Sequence, residues 1–131
     1  MKRRLFALLT ISMALLMFLS VTVCAVEARY AHTTSVTSTL NIYNGNAYCK
    51  STAQGDSTVT QIDGIQYLEK QNGKNWDVVD SWSDSSKSNS LTMNNSKDNI
   101  GSGTYRVRTV FTVYSGNSSE SVEKTSSIDT I

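Results

Sequence analysis

Proline is absent from this chain of 131 residues, histidine occurs once, and cysteine occurs twice. Each scarcity excludes something. Without proline there is no polyproline recognition segment, and exposed strand edges must be guarded by charge or irregularity instead. A single imidazole, His32, rules out the paired-histidine zinc motifs and leaves one nitrogen base at most for a nucleophile. Charged residues make up only 18% of the chain, and aromatics 8%. No segment after residue 29 shows helical periodicity over a useful length.

What is present begins with an export signal. Lys2, Arg3 and Arg4 precede an uncharged, largely apolar run from Leu5 to Val23, and Val26-Glu27-Ala28 places small residues at −3 and −1 of a peptidase site. Cleavage after Ala28 is expected. The run is also long enough for an uncleaved signal anchor, and Cys24 could carry lipid, although Val23 before it is bulky for that processing. All three readings place the remainder outside the cytoplasm, secreted or attached to the cell surface. With cleavage no membrane association remains.

Cleavage removes three of the twelve basic and one of the eleven acidic residues, leaving nine against ten. That balance carries no footprint for nucleic acid or anionic lipid. Cys24 departs with the leader and Cys49 stands alone, so no internal disulfide is possible. Cys49 shares strand parity with Ala47 and is expected in the core, against the alternative of a reactive or bridging thiol.

Short alternating runs separated by Gly, Asn, Asp and Ser clusters predict about seven strands. They cover 35–43, 46–54, 58–71, 75–82, 90–94, 104–114 and 120–126. Asn44-Gly45 and Asn72-Gly73 are hairpin signals. Ile62, Gly64, Gln66 and Leu68 share one face of the third strand, with Ile65 and Tyr67 on the other. In the sixth, Tyr105, Val107, Thr109, Phe111 and Val113 oppose Arg106 and Arg108. The pattern predicts an all-β, two-sheet antiparallel sandwich, with a closed barrel as the alternative. The expected organisation is a signal peptide at 1–28, a flexible segment at 29–34, the sandwich at 35–127 and a frayed terminus at 128–131.

Gly103-Thr104-Tyr105-Arg106-Val107-Arg108 resembles the corresponding strand of fibronectin type III and immunoglobulin-like domains. The resemblance implies that Tyr105 closes a corner by bonding to backbone and that Val107 is a core position. It also implies that Cys49 occupies the second-strand place whose disulfide partner is here Val107. The order of Leu40-x-Ile42, Ala47-x-Cys49, Tyr67-Leu68-Glu69-Lys70, Gly73-x-x-Trp76-x-x-Val79-x-x-Trp82, Gly103 to Val107 and Ser119-Glu120-Ser121-Val122 resembles small secreted proteins of Gram-positive bacteria. Those proteins have no characterised function, so this resemblance implies fold and secretion but no activity.

No catalytic, cofactor or metal constellation emerges. His32 lies in the segment expected to be loose. Asp77, Asp80 and Asp84 cluster near two tryptophans, yet Asp77 and Asp80 have opposite parity in a regular strand and match no calcium loop. The aromatic group offers more. With Val79 pointing inward, Trp76 and Trp82 would face outward beside Tyr67, forming a platform for sugar rings; a bulge between Asp77 and Ser81 would instead turn one tryptophan inward. The expected function is a secreted, non-catalytic interaction or adhesion module with an extracellular protein partner. The alternative is a carbohydrate- or cell-wall-binding module using Tyr67, Trp76 and Trp82.

Overall fold

A computed structural model describes residues 29–131; the expected leader, its Ala28 cleavage site and Cys24 lie outside the described residues. Eight strands follow one another: β1 (Thr33–Tyr43), β2 (Asn46–Gly55), β3 (Val59–Asn72), β4 (Asn75–Ser86), β5 (Ser90–Lys97), β6 (Thr104–Ser115), β7 (Ser118–Thr125) and β8 (Asp129–Thr130). They form a three-stranded sheet ordered β1-β2-β5 and a five-stranded sheet ordered β4-β3-β6-β7, with β8 also pairing to β6. All pairings are antiparallel. The described residues thus form an all-β, two-sheet sandwich and not a closed barrel. β2 and β6 are interior strands of opposing sheets.

Turn chemistry explains the hairpins. Asn44 and Gly45 both take positive φ (51° and 74°), the requirement of a type I′ turn. The second hairpin is centred one residue later than Asn72-Gly73, on Gly73-Lys74. Asn72 pairs with Asn75, and positive φ falls on Gly73 alone, the pattern of a type II′ turn.

Buried residues alternate along the strands as the period-two pattern predicts, and they form two apolar clusters. One gathers Ala53, Val59, Ile62, Leu91, Met93, Phe111, Val113 and Val122. The other gathers Ala47, Cys49, Leu68, Tyr105 and Val107. A polar belt lies between them. Ser51 Oγ accepts a hydrogen bond from Gln66 Nε2 at 2.7 Å and sits 2.7 Å from Thr109 Oγ1 and 3.2 Å from Ser38 Oγ. Gln66 Oε1 accepts from Asn95 Nδ2 at 2.9 Å. A hydroxyl has one proton and two lone pairs, so three partners satisfy Ser51 completely.

β5 runs three residues past its expected end, to Lys97, and β7 starts two residues early, at Ser118; three further boundaries differ through contacts with residues distant in sequence. β4 runs on to Ser86 because Ile62, Asp63, Gly64 and Ile65 of β3 pair with Ser83–Ser86; a partner strand overrides the weak strand preference of serine and aspartate. The last residues, expected to fray, are held: Thr130 and Asp129 pair with Thr104 and Tyr105, Ile131 exchanges backbone hydrogen bonds with Gly103, and the Asp129 carboxylate accepts the Ile42 N–H at 3.0 Å. Residues 31–33, expected to be flexible, donate three backbone N–H groups to the Glu120 carboxylate at 2.7–3.0 Å.

Glu120 makes this last contact acid-sensitive. Burial raises its pKa, but the Thr33 hydroxyl and the amides of Ala31, His32 and Thr33 outweigh that and hold it below the usual carboxylate value. A folded pKa below the unfolded one contributes stability that is present above the ordinary value and lost as pH falls through the folded one. Acid titration of Glu120→Gln should therefore show a shallower loss of stability below about pH 4 than the parent protein. Superimposable acid profiles would contradict this role.

Candidate functional site

Tyr105 Oη donates to the Gly101 carbonyl at 2.6 Å, four residues upstream, and the ring is 2% exposed. The tyrosine corner is thus formed, and Val107 is fully buried. Tyr105→Phe should destabilise by about 1 kcal/mol through the lost buried hydrogen bond, read from the urea midpoint.

Cys49 lies in the same cluster as Val107. Burial, followed by the negative charge of Asp80, pushes its thiol up to about 12. The thiolate is the reactive form, so thiol reagents should label the native protein slowly and the unfolded protein fast. Equal rates would place the thiol at the surface.

A β-bulge decides the fate of the aromatic platform. Leu68 pairs with Asp80 and Glu69 with Val78, leaving Val79 without a partner. Val79 is 39% exposed instead of pointing into the core. The extra residue flips the parity of everything on one side of it. Trp82 pairs with buried Gln66 and packs against both apolar clusters. Trp76 pairs with Gln71 and faces outward beneath the Arg106 guanidinium, 4.2 Å from the ring centroid. The flat row of Tyr67, Trp76 and Trp82 therefore does not exist.

Tyr67 and Trp76 instead close the ends of a ladder on the outer face of the larger sheet. Arg106 Nε and Arg108 Nε each donate to one oxygen of Glu69 at 2.7 Å. The Arg108 guanidinium lies 4.4 Å from the Tyr67 ring centroid and reaches Glu123 at 3.5 Å. Guanidinium groups occupy one face of both rings, and Glu69 is only 3% exposed. The same bulge brings Asp77 and Asp80 to one parity, contrary to the regular-strand expectation. They are not a pair in use: Asp80 binds Lys97 at 3.2 Å and Asp77 accepts from Asn72 at 2.8 Å. Among the described residues no group of three His, Cys, Asp or Glu side chains is placed to hold a metal ion.

His32, expected in a loose segment, sits in a hydrogen-bonded cluster. Its Nδ1 is 3.3 Å from Asp56 Oδ2 and 3.2 Å from Thr58 Oγ1, and Thr58 Oγ1 is 2.7 Å from Ser115 Oγ. Proton relay in a catalytic triad uses both imidazole nitrogens, one toward the nucleophile and one toward the acid. Here hydroxyl and carboxylate share one nitrogen, and the Thr58 proton goes to Asp56. The cluster closes the β2–β3 turn.

A further open surface is one that sequence reasoning passed over. The outer face of the β1-β2-β5 sheet carries a shallow groove of about 340 Å³, lined by side chains including Asn41, Tyr48, Lys50, Asn94 and Ser96. Asn41, Tyr48 and Ser96 form one cross-strand row; Thr39, Lys50 and Asn94 form the next. Tyr48 is 47% exposed. The signal was available: Tyr48 and Lys50 have the parity opposite to buried Ala47, Cys49 and Ser51. No protein-family model, curated protein or solved structure matches this chain.

Proposed function

We propose that the chain is a secreted, non-catalytic interaction or adhesion module working outside the cell. The basic and apolar N-terminus followed by small residues supports export, and the motif order resembling small secreted Gram-positive proteins supports the same reading. The observation that carries the interaction role is the exposed outer face of the β1-β2-β5 sheet, with its open groove and the exposed rings of Tyr43 and Tyr48. Rings with an apolar body and a polar tip suit recognition surfaces.

An extracellular protein partner is the first reading. A carbohydrate or cell-wall ligand is the second, favoured by one specific feature: apart from Tyr48 and the buried Cys49, the residues lining the groove carry hydroxyl, amide and ammonium groups, with no aliphatic anchor. The protein core of an interface usually needs such anchors. The test is retention of the purified protein on insoluble polysaccharides and Gram-positive cell walls, in parallel with cross-linking in culture medium. Specific retention or a reproducible cross-linked species supports the module. Neither, under both conditions, would remove it.

A further inference from the structure

We propose that the β1-β2-β5 face binds an acidic polysaccharide, with a sugar ring against Tyr48 and a sugar carboxylate on Lys50. The inference rests on the interaction-module reading and deepens its carbohydrate alternative.

The two side chains are neighbours by construction. Tyr48 and Lys50 are two residues apart on β2, the central strand, so both project from the same face about 7 Å apart along the strand. Buried Ala47, Cys49 and Ser51 alternate with them and hold the strand in place. Hydrogen-bonded neighbours on both sides make the face rigid before any ligand arrives, which lowers the ordering cost of binding.

The chemistry selects the ligand. Asn41 and Asn94 flank the pair on the adjacent strands, and each amide offers both donors and an acceptor. Sugar hydroxyls also both donate and accept, so they can be matched without ionisation. Lys50 is the single charged side chain lining the groove, and no Asp or Glu lines it. Its ammonium enters no ion pair among the described residues, unlike Lys97, which binds Asp80. A compact ammonium in an amide- and hydroxyl-lined trough is complementary to a carboxylate. One cation in a groove on a chain of near-neutral charge is poorly matched to a nucleic acid, whose binding scales with the number of phosphates neutralised.

Affinity electrophoresis of the purified protein through gels containing polygalacturonate or neutral dextran tests this. Retardation by polygalacturonate alone is expected, weakening as salt screens the lysine. Tyr48→Ala should reduce the apparent affinity by about tenfold, as loss of an aromatic anchor does. Lys50→Gln should abolish the preference for the acidic gel. Both positions are exposed, and unchanged urea midpoints would confirm that the variants fold. Equal retardation in both gels, or wild-type retardation of both variants, would overturn the assignment while leaving the interaction module standing. Mobility unchanged by either polymer, with a partner recovered by cross-linking or retention on another polysaccharide or cell wall, would do the same; unchanged mobility with neither would remove both.

Discussion

Ser51→Ala should lower the unfolding free energy by about 3 kcal/mol, because one deletion strands several buried groups at once. Ser51 is fully buried and is the hub joining Ser38, Gln66 and Thr109. Without its hydroxyl, the Gln66 amide keeps its bond from Asn95 but loses the acceptor for its own N–H. No water-sized group of the new side chain replaces that acceptor. An unsatisfied buried donor costs more than the net worth of the bond it made. Ser38→Ala is the control, since Ser38 sits at the margin of the belt with one contact to it; about 1 kcal/mol is expected there. Urea midpoints at constant slope measure both. If Ser51→Ala stays within about 0.5 kcal/mol of the parent, the range of an ordinary surface change, the belt is not a structural element of this core.

Glu69→Ala should cost a comparable amount, about 3 kcal/mol, for an electrostatic reason. The carboxylate lies between two guanidinium groups and is nearly inaccessible, with a side-chain exposure of 4% against 25% and 26% for Arg106 and Arg108. Hydrogen bonding to Glu69 strengthens the hold of Arg108 on its proton. Removing the anion leaves two like charges on neighbouring positions of one strand face and frees both from the geometry that sets them over Trp76 and Tyr67. Two readouts should therefore move together: the urea midpoint should fall, and the emission of Trp76 should change as Arg106 leaves its ring. Because the arginines are a quarter exposed, solvent screens part of the repulsion, and the loss should shrink in high salt. A normal midpoint with unchanged emission would show that the ladder contributes nothing to stability.

Much of the fold was legible because its signals are local. The Asn44-Gly45 turn, the alternation of Tyr105 to Val113 and the shared parity of Ala47 and Cys49 all follow from backbone geometry over a few residues. Interior side chains repeat every second residue in a strand, and asparagine or glycine takes positive φ where a tight hairpin needs it. The tyrosine corner was legible for the same reason, since Tyr105 and its Gly101 acceptor are only four residues apart.

The candidate sites were less legible, because parity is lost wherever a strand gains a residue. Alternation alone left Trp76 and Trp82 together, with a bulge as the competing possibility. The unpartnered Val79 separated them, and only pairing with β3 shows where the extra residue falls. The ends of the domain were misjudged through another non-local effect. Glu120 captures residues 31–33, and Asp129 captures Ile42, across separations of 87 to 89 residues. Nothing in a polar terminal sequence announces a carboxylate that far away.

The sequence by itself determined the class of the fold, most strand positions, the first hairpin turn and the burial of Cys49, since each depends on residue type and short-range periodicity. The tertiary structure alone decided which faces are open. It sent Trp82 into the core, locked Tyr67 and Trp76 into an ion-pair ladder, and left Tyr48 and Lys50 uncovered on the smaller sheet. Exposure is a property of what packs against a residue, and in a sandwich that is settled by register between strands distant along the chain.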